Sequence, residues 1–249
     1  DGFDMSACTL ASCSAYVFVS MYLWYGLPLF ACVLITIAVT LVIGLGATWY
    51  VNSQLKKYTK VPISNGLTGA DAARRMLAFY GISGVEVRRG GHGQDFFDPR
   101  SNTVTLSPEA YDGRSITATA TACHEVGHAY QYAEGYAPMK IRGVIVPAVN
   151  LASNAWIFLL MLGIIMNIAQ LTTLAVIMYA VVVVFQLVTL PVEFNASKRA
   201  LATLEGCAIL DSDELSSASA VLGAAAMTYV ASALQSILNL LRLLVISGR

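Results

Sequence analysis

Charge is distributed along the chain unevenly enough to predict its architecture before any motif is read. Residues 5–55, 143–192 and 215–241 contain no Asp, Glu, Lys or Arg. A helix needs about 20 mainly apolar residues to cross the hydrocarbon core of a bilayer. These blocks therefore predict one, two and one membrane spans. The first span lies in segment 21–51 and is clearest from Leu27 to Trp49. The middle block, 143–192, reads as a hairpin of spans over 146–167 and 171–191, broken at the weak turn "NIAQ" and made more polar at its start by Pro147, Asn150 and Asn154. The last span, 219–241 within segment 215–249, is rich in small residues, which let helices approach closely.

The polar segments 52–142 and 193–214 carry the other signals. "TGADAARRMLAFYG" predicts a helix with Thr68 as N-cap, Asp71 at the third position and Gly81 as terminator. "VEVRR" and "NTVTLS" alternate as short strands do, separated by a loop holding Gly90, Gly91, Gly93 and the turn "DPRSN". A helix is predicted over 115–134, a stretch without proline, and "LDSDEL" places Asp211 and Glu214 at capping-box spacing before the last helix. Segment 52–142 is too short and polar to enclose a large core of its own. The expected architecture is mainly α, a polytopic membrane protein of about four spans with a small α+β region that packs against them.

Composition agrees with a membrane protein. Of 249 residues 57% are hydrophobic and 12% charged, and the mean hydropathy is +0.65, too apolar for an ordinary soluble domain. Lys and Arg (15) balance Asp and Glu (15), so no basic surface exists to neutralise phosphates, and nucleic acid is excluded as a partner. All the Lys and Arg except Arg242 and Arg249 fall within 56–142 or at 198 and 199. The positive-inside rule then turns these segments to the cytoplasm of a multi-pass cell-membrane protein, with the two exceptions in tension with it. Residues 1–20 lack the basic region of a signal peptide and read as an extension before a natural start at Met21. Five scattered cysteines, odd in number and without a CxxC pair, suit a reducing setting.

Two of the three histidines stand in "TACHEVGHAYQYAEGY", as His124 and His128 around Glu125. Four residues apart on a helix, they share a face and can offer two imidazoles to one ion. Glu125 lies beside that face, where a carboxylate takes a proton from a water activated by the metal. A catalytic zinc usually has three protein ligands and an open fourth position. For the third ligand the chain offers His92 in a glycine-rich loop, Glu134 on another side of the same helix, and Glu193. Glu193 is the first charge after a long apolar block, a placement that asks for a partner such as a metal. The plainer alternative is the first charge of an emerging helix with Lys198 and Arg199 beside it. Cys123 reads as a small helix residue, since a fourth ligand would close the site to water. Oxyanion donors could come from His92, Tyr130, Tyr132 or Asn195, and the strand "NTVTLS" could offer an edge to an extended peptide.

With "TACHEVGHAYQYAEGYAP", "FQLVTLPVEFNASKRAL", "KYTKVPISNGLTGADAARRML" and "TYVASALQSILNLLRLL" taken together, residues 21 to the end resemble the bacterial neutral zinc metallopeptidases of the YugP-like membrane peptidase family. The resemblance implies a zincin-like region related in plan to the gluzincins. His124, His128 and the downstream Glu193 would then hold Zn2+, with Glu125 as catalytic base. It implies a membrane-bound endopeptidase acting on a polypeptide substrate in or near the bilayer. "EFNAS" is also similar to the Glu-x-x-x-Asp motif of other membrane metallopeptidases, but Ser197 stands where the Asp would be. Asp95, Asp98 or a backbone carbonyl would then have to orient a zinc histidine. Two rivals stand beside the peptidase: a non-catalytic zinc-binding scaffold or chaperone-like protein, and a transporter. The spans lack the buried charges of an ion path, and a scaffold has no need of Glu125.

Overall fold

The computed structural model describes residues 51–247 together with Ala31 and Trp49. The extension 1–20 and the predicted span Leu27–Trp49, except for Ala31 and Trp49, lie outside the described residues. Among the described residues the chain is mainly helical and divides into two compact units. One comprises 51–141 and 189–227; the other comprises 142–188 and, from residue 228, the C-terminal part.

The first unit begins with a helical stretch, 51–59, and a short connection to α1, Gly69–Phe79. Thr68 Oγ1 accepts from the Asp71 N–H at 3.1 Å while Asp71 Oδ2 accepts from the Thr68 N–H at 3.2 Å. This reciprocal cap satisfies two donors that a helix start leaves orphaned. Gly81, at φ +64°, ends the helix as predicted, its N–H bonded to the Ala78 carbonyl. Strand β1 is Glu86–Arg89, β2 Phe96–Asp98 and β3 Thr103–Leu106, forming one sheet in the order β1-β3-β2. β1 pairs with β3 in parallel and β2 pairs with it antiparallel.

Two expectations are corrected here. β2 falls inside what reads as loop, because three residues are too few to display alternation. The strand "NTVTLS" offers no edge: β3 is the central strand, paired on both sides and buried throughout. After a single helical turn, α2 (Pro108–Tyr111), capped by Ser107, comes α3, Ile116–Ala133. The Ser115 side chain accepts from the Ala118 N–H and Glu134 is the C-cap, matching the predicted 115–134. α1 lies along α3, with Met76, Leu106, Val126, Leu204 and Ile209 fully buried around the contact. Each such side chain removed from water contributes about 1.5–3 kcal/mol.

Three long helices complete the chain: α4 (Ala137–Ile165), α5 (Ala169–Gly206) and α6 (Ser212–Ser247). By length and composition Ala137–Ile165, Ala169–Gly206 and Ser212–Leu241 are long and apolar enough to cross a membrane. The predicted turn at "NIAQ" is real, with Asn167 at φ +55°. α4 starts earlier than the predicted span and runs on through Pro147. α5 runs past Pro191 without stopping, so the apolar stretch and Glu193 share one helix. Within the second unit, Tyr179 stacks at a tilt on Trp156 (4.7 Å between centroids) and accepts from Asn239 Nδ2 at 3.2 Å. Such polar pairs tie helices together where the surrounding solvent is apolar. α4 exposes Phe158 and Ile165, a surface that suits lipid.

Candidate metal centre

α3 and α5 supply the site, and both lie in the first unit at this point. His124 and His128 project from one face of α3, their rings 4.7 Å apart and nearly perpendicular. Glu193 of α5 meets both: its Oε2 is 3.2 Å from His124 Nε2 and 3.5 Å from His128 Nε2. Ligand atoms from the three residues all lie within 4.8 Å of one another. The cluster is secluded, with the His124, His128 and Glu193 side chains 15%, 9% and 3% exposed. Glu125, the residue between the histidines, is also buried.

The nitrogens turned away from Glu193 are held as well. His128 Nδ1 lies 3.0 Å from Gln131 Oε1, and His124 Nδ1 lies 3.1 Å from Ser197 Oγ. An imidazole whose Nδ1–H donates in this way keeps the Nε2 lone pair for a cation. Gln131, completely buried, donates from Nε2 to the Val192 carbonyl at 2.7 Å and to Asn195 Oδ1 at 2.9 Å. Arg199 donates from Nε to the same Asn195 oxygen at 2.6 Å, pairs with Glu134, and lies over the Tyr130 ring, which stacks on Tyr80.

The Ser197 hydroxyl thus stands beside His124 Nδ1, where Asp95, Asp98 or a backbone carbonyl was expected. Those aspartates are engaged elsewhere: Asp95 Oδ1 accepts from the Ser107 N–H, and Asp98 closes the β2–β3 turn by accepting from the Arg100 N–H and the Ser101 hydroxyl. Of the other candidates, His92 pairs with Glu109 at 2.5 Å and Glu134 with Arg199, so neither joins the cluster. Cys123 is buried in the core, where burial pushes its thiol up to about 12. Tyr130 is committed to its stack, while Tyr132 is half exposed beside Phe97 of β2. Gln131 escaped notice in the sequence. The signal was there: an uncharged amide three residues after His128, hence on the same helix face.

A divalent cation with nitrogen and oxygen donors fits this arrangement. Four-coordinate zinc, with bonds of 2.0–2.1 Å, sets its ligand atoms about 3.3 Å apart, and the two Nε2–Oε2 separations bracket that value. Burial opposes charge on His128, yet its hydrogen bond to Glu193, the charges of Glu125 and Glu193, and Gln131 hold its pKa above the usual histidine value. So many acceptors around one imidazole favour positive charge at this spot. Two imidazoles and one carboxylate without thiolates suit zinc and leave a fourth position for water.

Known proteins resemble the chain over most of its length. The chain is 43% identical over 201 residues, 80% of its length and 89% of the relative's, to a Bacillus subtilis protein named "Putative membrane protease YugP". No solved structure matches it. Residues 33–248 match the family described as "Putative neutral zinc metallopeptidase", and the chain belongs to that family.

Proposed function

We propose that the protein is a membrane-bound zinc endopeptidase in which His124, His128 and Glu193 hold the metal and Glu125 is the general base. The observation that carries this reading is the convergence of His124 Nε2, His128 Nε2 and Glu193 Oε2, with a buried glutamate between the two histidines. A zinc ion held there would supply a Lewis acid toward a water molecule and the scissile carbonyl. Glu125 takes the proton of the attacking water and returns it to the departing amine nitrogen, so one carboxylate serves as base and then as acid. Gln131 and Ser197 keep the two imidazoles turned toward Glu193, and the low exposure of the cluster limits competing water.

The substrate is a polypeptide in or beside the bilayer, reached from the cytoplasmic face to which the clustered Lys and Arg assign segments 52–142 and 193–214. An extended peptide adds to an open strand edge. β2 is an edge strand of the sheet and packs against α3, so it is the better candidate for that role than β3. The test is to express wild-type and Glu125→Gln protein at equal levels and compare the membrane proteome. Uncut proteins should accumulate with Glu125→Gln while zinc content stays the same. Undiminished cleavage by that variant would remove Glu125 from the mechanism.

A further inference from the structure

Every hydrogen-bonding group of the Gln131 amide is used, and each use falls on a different part of the centre. Its oxygen faces His128 Nδ1 at 3.0 Å; its nitrogen donates to the Val192 carbonyl at 2.7 Å and to Asn195 Oδ1 at 2.9 Å. Val192 immediately precedes Glu193 on α5. Asn195 cannot turn its amide over without losing Arg199, whose Nε–H donates to the same oxygen at 2.6 Å. The orientation of Gln131 is thus set from α5, and the orientation of His128 is set from Gln131.

We propose that Gln131 is a positioning residue for the metal. It keeps Nε2 of His128 aimed at the ion, and it does so only while the 192–199 turns of α5 stand in the register that also presents Glu193. The inference rests on the metal reading above and adds to it a condition: zinc affinity depends on an amide that coordinates nothing. His124 is oriented from the same stretch of α5, by Ser197. α5 therefore contributes one ligand and controls the aim of the other two.

Three variants of the full-length protein in detergent test this by zinc titration against a competing chelator, with the melting temperature of the metal-free form as control. Gln131→Met keeps the volume and removes the acceptor. Its zinc Kd should rise about 10–100-fold, the usual effect of losing a group that orients a ligand. Gln131→Glu keeps an acceptor for His128 but loses both donations to α5, and should weaken zinc less than Gln131→Met does. Asn195→Ala leaves Gln131 in place but frees its amide, and should weaken zinc in the same direction by a smaller factor with little change in melting temperature. That variant carries the test if Gln131→Met does not fold. A Kd for Gln131→Met within twofold of wild type overturns the proposal. So does an equal loss in the Met and Glu variants, or an unchanged Kd for Asn195→Ala. Wild-type protein that takes up no zinc would instead defeat the metal reading itself.

Discussion

Gly127, inside the histidine motif, lies against the backbone of Ala196 on α5: a Cβ added to it would stand 2.7 Å from the Ala196 carbonyl oxygen and 3.2 Å from its Cα. The close approach is what allows Glu193 and Ser197, one residue to three residues away from Ala196 along α5, to reach imidazoles on α3. Backbone cannot yield as a side-chain tip can. Gly127→Ala should therefore push the helices apart, costing about 1–3 kcal/mol as overpacking and weakening zinc binding as well. Melting temperature and zinc titration together check this; a variant with wild-type values of both would show that the contact is not tight in solution.

Replacing His124, His128 or Glu193 by Ala should abolish tight zinc binding, because two remaining donors cannot hold a catalytic zinc. Metal content of the purified protein is the measurement. Removing zinc from the wild type with a chelator should end proteolysis and lower the melting temperature, since a ligand that binds only the folded state stabilises it. A His92→Ala variant should keep its zinc, as that side chain pairs with Glu109.

Ser197 and His124 give a finer test. Ser197→Ala removes the acceptor 3.1 Å from His124 Nδ1 and should lower zinc affinity about 10–100-fold. Ser197→Asp supplies a charged acceptor at the same helix position and should bind at least as well as wild type. Equal affinity in Ser197→Ala and wild type would mean that another group orients His124.

The cap of α1 makes a prediction in pH. Hydrogen bonds from Thr68 hold the Asp71 carboxyl below its ordinary pKa despite some desolvation. A depressed folded-state pKa contributes stability that is present above the unfolded value, near 3.8, and is lost as pH falls through the folded one. Thr68→Ala should cost about 1 kcal/mol at neutral pH, and less in acid. Because Asp71 is about half exposed, solvent screening keeps the effect small. Melting curves at neutral and strongly acidic pH give the comparison.

Cys123 should resist alkylation in the folded protein, since its thiol is fully buried and pushed up to about 12. Mass-spectrometric mapping with iodoacetamide at mildly alkaline pH should modify Cys123 only after denaturant is added. Rapid modification without denaturant would contradict the buried core around α3.

Several features could be read from local sequence because their causes are local. The spacing of His124, Glu125 and His128 is a property of one helix turn. The caps at Thr68, Ser115 and Asp211 pair residues three apart; Glu214 Oε2 accepts from the Asp211 N–H at 3.1 Å and Asp211 Oδ1 from the Glu214 N–H at 2.9 Å. The long apolar blocks announce spans by length alone, and the two that lie among the described residues form three helices. What escaped was short or distant. β2 has three residues, and its strand character comes from pairing with β3.

The sequence by itself determined which side chains could bind a metal on α3, where helices begin, and which segments are apolar enough to lie in a bilayer. These follow from periods of one to four residues and from composition. Only the tertiary structure decided that Glu193 stands against His124 and His128, that Ser197 and Gln131 hold their far nitrogens, and that β3 lies in the middle of its sheet. The contacts of Glu193 and Ser197 with the histidines join residues about 65 to 73 positions apart along the chain, between helices brought together at Gly127 and Ala196. No local preference encodes such a distance; the packing of α3 on α5 does.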